Sequence, residues 1–481
     1  MESRLPIQLK MNFSGENALA VNLRTGLFVI LVEQNSPPRE QPFESAMTPA
    51  AVIAKRLATF DQVAGMAVTD RLRTEVAHDP VDAAALLADA SGKPCLMTLS
   101  GKGSSRDRIR DCLARAASKG IRSVLVVTGD RSDRHALKRS PTGRITPYPS
   151  GYFDSVAALR LIRNSTTGLY AGAGINPFKY NAPDQFLQYY KMLRKLNTGA
   201  EFIVTHAGWD MKKLQELQWF LQMRELSYPV LARIKLLSPE DIQVIHNDPY
   251  PGVQSARLFY AMLQRESSLN AAQCMAAQLN RIGLQAAGCK LLGYSGVQLT
   301  GLRDVKTAEM VLTRIREALD QFKSYPDWVT AWQEFHNFIE FAPRPAPFYA
   351  FENLLTREHQ HYDAAAAALS TQAWPAPRLG DRWRSLWLKW LLAPDMPKGI
   401  SSSARFFGCR GCRRQDCEFR HCYYLCPKEC PKALVFGACG GSAPDGTCEF
   451  GQAACFFHRV VALAAARHEL DRLEEGIPPG D

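Results

Sequence analysis

Gly120-Ile121-Arg122-Ser123-Val124-Leu125-Val126-Val127-Thr128-Gly129-Asp130 is a β-branched, apolar run that stops abruptly at Thr-Gly-Asp. So short and uniformly apolar a run suits a strand covered on both faces. Within it, Ser123–Thr128 is the strand. The same shape recurs at Leu27–Glu33, Ala64–Thr69, Cys95–Leu99, Leu169–Ala173, Glu201–Thr205, Val230–Lys235 and Ser295–Thr300. Amphipathic stretches separate these runs, beginning near Pro49, Val81, Ser105, Phe153, Pro183, Met211, Gly252 and Arg303. Their apolar residues return at helical spacing, as in Leu187, Tyr190, Leu193 and Leu196. Repeated β-α units predict a parallel sheet closed into a (β/α)8 barrel, with its site at the C-terminal strand ends. An open doubly wound sheet is the alternative, but no G-x-G-x-x-G follows the first strand.

The strand ends carry the candidate chemistry. Asp70 and Asp210 stand where a carboxylate would cap the following helix. Glu33 does not, because Pro37 and Pro38 separate it from any helix. A glutamate closing an apolar strand is desolvated, which favours its protonated form and suits a general acid.

The chain has 481 residues, with 46% hydrophobic and 22% charged, as in a soluble globular protein. The first thirty residues contain no secretory apolar run, and no apolar stretch reaches the roughly eighteen residues a membrane span needs. A cytoplasmic protein with no membrane association is therefore expected. The net charge of +11 favours anionic ligands, but the basic residues are spread along the chain, which argues against nucleic acid. Residues 1–24 read as an irregular lead-in.

In their order, these strand ends resemble the methylenetetrahydrofolate reductase family. The matching pieces are Phe28–Glu33 with the proline pair, Val68-Thr69-Asp70, Gly120–Asp130, Asn176-Pro177-Phe178, and Leu193-Arg194-Lys195 through Thr205. The resemblance spans residues 20–322 and implies a barrel with a non-covalent flavin, FAD in preference to FMN. It implies an oxidoreductase interconverting 5,10-methylenetetrahydrofolate and 5-methyltetrahydrofolate, supplied by NAD(P)H or a protein electron donor. By the same resemblance Glu33 is the general acid, and Asp130 stabilises the cationic folate intermediate. Thr69, Thr128, Gly129 and Asp130 lie along the flavin, and Arg194 and Lys195 neutralise its phosphates. His206 stands where family members often carry a glutamine facing the pterin. Met97 or Thr98 replaces a histidine beside the flavin, and the loop Ser100–Ser105 departs from the family's run. A methyltransferase barrel acting on a folate-linked methyl group is one alternative, and a non-catalytic zinc-module protein is another. The sequence leaves the oligomeric state open, a homo-oligomer included.

Beyond the barrel, residues 323–400 form an aromatic-rich connector, expected to be helical and to pack the tail against the barrel. The stretch Gln360–Ser370 reads as helix or linker, and Asp381–Leu392 as a helix with tryptophans on one face. Residues 401–481 hold Cys409, Cys412, Cys417, Cys422, Cys426, Cys430, Cys439, Cys448 and Cys455, nine of the chain's 13 cysteines. In a reducing compartment such a cluster reads as thiolate metal ligands before disulfides. Cys426-Pro427-Lys428-Glu429-Cys430-Pro431-Lys432 and Cys439-Gly440-Gly441 resemble the C-terminal domain attached to some methylenetetrahydrofolate reductases. That resemblance implies eight ligands, all but Cys422, holding iron–sulfur clusters, zinc or both. His421 and His458 are candidate substitutes for a thiolate.

Overall fold

The computed structural model describes residues 17–72, 76–131, 151–165, 168–247, 253, 255–370, 374–391, 419–451 and 453–478. In chain order the first half runs α1 (Ala18–Arg24), β1 (Val29–Asn35), α2 (Phe43–Leu57), β2 (Val63–Thr69), α3 (Pro80–Ser91), β3 (Cys95–Ser100), α4 (Arg106–Ser118), β4 (Ser123–Val127), α5 (Ser155–Arg163), β5 (Tyr170–Ile175) and α6 (Ala182–Thr198). There follow β6 (Phe202–Ala207), α7 (Met211–Met223), β7 (Val230–Lys235), α8 (Pro239–Asn247), α9 (Arg257–Ser268), α10 (Ala271–Leu291), β8 (Gly296–Thr300), α11 (Val305–Gln321) and α12 (Tyr325–Phe335). Within the connector lies α13 (Leu379–Leu391), and in the cysteine-rich module α14 (Phe456–Ala466).

The strands β1 to β8 close in sequence order into a parallel barrel, with β8 pairing back onto β1. Every strand boundary lies within two residues of the sequence expectation, because each buried strand is an apolar run ended by a turn residue. Three helix readings need correction. Pro49 lies inside α2, not at its start. The crossover from β7 to β8 holds α8, α9 and α10 where one helix was expected. The lead-in is not wholly irregular: α1 puts Leu19, Ala20 and Leu23 into the cluster that also contains Val29, Leu31, Leu96, Leu125, Tyr170 and Phe202. Asn17 caps α1 and donates to the Arg122 carbonyl and to Ser123 Oγ at the start of β4, so this helix closes the bottom of the barrel.

The connector packs on the barrel flank. Trp328 and Trp332 of α12 are fully buried in the main core, and Phe351 and Leu354 further on are buried in it too. Beyond α12 the chain to residue 370 holds no regular helix, and the alanine run Ala364–Ala368 is irregular. Its shape is imposed from outside. Gln215 accepts from Leu355 N at 2.5 Å and Glu216 accepts from Ala350 N at 2.7 Å, both from buried positions on α7. Helix α13 turns a largely polar face inward: Asp381 pairs with Arg459 at 2.5 Å and Ser385 donates to the Tyr423 carbonyl at 2.5 Å. Its tryptophans Trp383 and Trp390 face outward.

The cysteine-rich module has its own small core, in which Leu425, Leu434, Phe457, Val460 and Val461 pack with Leu187 of α6. Helix α6 is thus shared between barrel and module.

Candidate active site at the barrel mouth

Alternation along each strand builds the site. Positions that point inward carry apolar side chains at the lower levels: Val29 and Leu31, Leu96, Leu125, Phe202 and Val204, Leu231. The next inward positions up the same strands are Glu33, Thr98, His206 and Arg233, all lining the mouth. The barrel is therefore a solid apolar plug with a polar upper layer. A bulge between Val204 and Ala207 breaks the β6–β7 register where His206 enters the mouth. The mouth encloses about 1300 Å3, counted out to open solvent.

Glu33 is buried, as expected of a carboxylate closing an apolar strand. It also has two polar partners. Arg233 Nη2 stands 3.1 Å from Glu33 Oε2, and Gln298 Nε2 donates to the same oxygen. Two polar atoms beside it, Arg233 Nε and Gln298 Oε1, are buried with no partner among the described residues. Such atoms call for a ligand or water. Asp130 accepts from Lys102 Nζ at 2.5 Å, while Tyr152 donates its hydroxyl to the Asp130 carbonyl at 2.7 Å. Lys102 is fully buried and belongs to the loop that departs from the family's run.

His206 is half-buried in the mouth wall. Burial, and then the charges of Arg233, Lys179, Lys195 and Lys432, lower its pKa to about 3. With its pKa so lowered it is a neutral hydrogen-bonding group at physiological pH. Lys195 also lines the mouth and donates to the Gly174 carbonyl at 2.6 Å; burial lowers its pKa to about 7. Arg194 departs from the expectation. Its guanidinium points away from the mouth to the carbonyls of Glu475, at 3.0 Å, and Arg472, so it anchors the C-terminal tail. Asp210 caps α7 as expected, accepting from Lys212 N at 3.0 Å. Asp70 is no cap: it forms a bidentate pair with Arg71 at 2.7 and 2.9 Å and accepts from Ser100 N.

Thr69, Thr128, Gly129, Asp130 and Lys195 all line the same space as Glu33 and His206. With a side-chain-free wall at Gly174 and the orphaned polar atoms at the floor, this set fits a planar, hydrogen-bonding cofactor.

The C-terminal module forms the roof. Lys432, Ala438, Cys439, Gly440, Gly441 and Glu449 line the mouth alongside the strand ends. The barrel grips this loop through its backbone: Lys191 donates to the Gly437 carbonyl at 3.0 Å, Asn176 to Gly440 at 2.9 Å and Lys179 to Ser442 at 2.6 Å. Gly440 has φ +83°, and a Cβ there would lie 2.7 Å from Gln188 Oε1. Sequence reasoning missed this roof, together with Arg233, Gln298, Lys102 and Lys432. Arg233 was within reach, since Arg233 and Lys235 are the charged, alternating positions of an otherwise apolar strand.

Cys409, Cys412 and Cys417 lie outside the described residues. Burial raises the thiols of Cys430, Cys439, Cys448 and Cys455; Cys439 further raises the other three, and Cys430 raises Cys448 and Cys455, which places them in one neighbourhood. Among the described residues, however, no three His, Cys, Asp or Glu side chains converge as metal ligands. Cys439 instead donates to Glu449 at 3.2 Å. The sulfurs are of the right chemistry for zinc or iron, but this arrangement does not present a ready ligand set. Cys422 is a buried thiol donating to the Val435 carbonyl at 3.2 Å. His458 bonds Asp184 of α6 at 2.8 Å, and His421 packs edge-on against Phe436.

Residues 22–241 match the family described as Methylenetetrahydrofolate reductase, and residues 398–481 match Methylene-tetrahydrofolate reductase C terminal. A solved structure titled as an uncharacterized protein from Clostridium thermocellum that binds two copies of 5-methyl-5,6,7,8-tetrahydrofolic acid shares 12% identity and a TM-score of 0.47. The match covers 63% of this chain and 100% of that one. No curated protein matches the chain. Among the described residues, no helix is long and apolar enough to cross a membrane.

Proposed function

Because the chain joins a barrel of the methylenetetrahydrofolate reductase family to that family's C-terminal domain, we propose that it interconverts 5,10-methylenetetrahydrofolate and 5-methyltetrahydrofolate. The observation that carries this reading is a single cavity lined by Glu33, Asp130 and His206, from the ends of β1, β4 and β6, within the family-matched segment. Reduction consumes two electrons and two protons: a hydride joins the methylene carbon, its bond to one folate nitrogen breaks, and that nitrogen takes up a proton. A flavin bound along Thr69, Thr128, Gly129, Asp130 and Lys195 would supply or accept the hydride.

The chain's own residues handle the rest. Glu33 is the proton donor in the reducing direction and the acceptor in the other; Gln298 and Arg233 fix its carboxyl on the floor. Asp130, held by Lys102, gives negative charge facing the iminium that forms when the folate ring opens. Neutral His206 hydrogen-bonds the pterin. The buried plug beneath and the module above exclude bulk water. Either direction uses the same groups.

For the cysteine module we propose bound zinc or an iron–sulfur cluster, a reading supported by the clustering of its cysteines. Elemental analysis of anaerobically purified protein tests it, and metal-free, fully active protein would overturn it. The catalytic reading is tested by mixing the purified protein, FAD and 5-methyltetrahydrofolate with an artificial electron acceptor. Formation of 5,10-methylenetetrahydrofolate coupled to reduction of the acceptor supports it. Tight folate binding without electron transfer would instead favour a methyl-carrier role.

A further inference from the structure

We propose that Lys432, carried by the C-terminal module, is a positioning residue of the barrel's own site, fixing the Gly129–Asp130 backbone at the end of β4. The inference rests on the reading of the mouth given above. Gly129 has φ +92°, and a Cβ there would lie 2.5 Å from Ser100 Oγ, so the turn needs glycine. Glycine also leaves the backbone with the most freedom to lose, and the following residue is the one whose carboxylate must face the cavity.

The structure holds this turn from two sides. On the barrel side Tyr152 donates to the Asp130 carbonyl and Lys102 to its carboxylate. From the module, Lys432 Nζ donates to the Gly129 carbonyl at 2.7 Å, and the Glu449 carbonyl accepts from Arg131 at 3.1 Å. Lys432 is only 3% exposed. Its charge is matched by the Glu449 carboxylate and lies 4.9 Å from the Tyr152 ring and 5.6 Å from that of Phe450. A lysine that merely stapled the module would bond any nearby carbonyl. This one reaches the peptide next to Asp130 and itself lines the mouth. The site is therefore incomplete until the module is docked.

The test uses the full-length protein with Lys432→Met, Lys432→Arg, Asp130→Asn and the Lys432→Met/Asp130→Asn double variant. Hydrogen exchange of the peptide covering residues 123–131 needs no substrate. It is expected to speed up about tenfold in Lys432→Met and to recover in Lys432→Arg, with no change in β1 or β7. In turnover, Lys432→Met is expected to lose about tenfold or more in kcat with little change in KM, as misplacement of a reacting group does. In the Asp130→Asn background the same change is expected to cost almost nothing further, since both act on one group. Unchanged exchange in β4, or losses that multiply in the double variant, would overturn the proposal. Should Lys432→Met fail to fold, Lys432→Leu, which likewise has no donor, is read the same way. The expected exchange pattern across the variants, found together with a wild type that shows no folate turnover, would sink the proposed reaction and leave the positioning role standing.

Discussion

The guanidinium of Arg233 stands 3.1 Å from the carboxylate of Glu33 at the floor of the mouth, each on an inward position of its strand. One member is the proposed proton carrier and the other its charge partner, so the two substitutions separate. Glu33→Gln keeps shape and hydrogen bonding but has no proton to exchange. Turnover should fall about 10²–10⁴-fold while 5-methyltetrahydrofolate binding, measured by calorimetry, is retained. Near-normal turnover would remove Glu33 from its role. Arg233→Met strands a buried carboxylate, and urea unfolding should show a loss of about 3–5 kcal/mol.

His206 predicts a pH signature. Its folded pKa, about 3, lies below the ordinary value of 6.5. Between those values the unfolded chain binds a proton that the folded one refuses, so stability falls as pH drops from 6.5 toward 3. Replacing it with glutamine removes that loss. Relative to wild type, His206→Gln should gain up to about 1.4 kcal/mol per pH unit below 6.5, read from denaturation midpoints. Activity above pH 7 should be nearly unchanged. An identical pH dependence in the two proteins would mean that the histidine is protonated in the fold.

The barrel was legible because buried parallel strands impose a local rule, an apolar run closed by a turn residue, and Ser123–Asp130 obeys it. The cavity-lining set Glu33, Asp130 and His206 was legible for the same reason, since each ends a strand. What was not legible depends on distant partners. Arg194 and Lys195 are adjacent in sequence, yet helical geometry turns one toward the tail and the other into the mouth. Lys432 looked like part of a metal loop, because nothing local says that it meets Gly129, 303 residues away. The α12–α13 connector likewise takes its irregular course from buried α7 side chains.

The divergence of that basic pair yields a contrast. Arg194→Ala removes two hydrogen bonds to the tail and should lower the melting temperature by a few degrees, with flavin affinity unchanged. Lys195→Met should instead weaken flavin binding. If the Lys195 charge contributes, wild-type affinity for the anionic cofactor falls as pH rises through about 7, and the variant's does not. Equal flavin loss in both variants would return Arg194 to the cofactor.

Gly440 tests whether the roof is built or incidental. Its φ of +83° is strained for any residue with a side chain, and an added methyl would press on Gln188 Oε1. The same residue's carbonyl accepts from Asn176, so a shift of the loop also breaks a buried hydrogen bond. Gly440→Ala should cost about 1–3 kcal/mol, localised to docking of the module. Limited proteolysis should then cleave the module faster while the barrel core resists. Asn176→Ala removes the partner without straining the loop and should give a smaller effect of the same kind. If both variants keep wild-type protease resistance, the module is held by its remaining contacts, and the Gly440 loop is not what secures it.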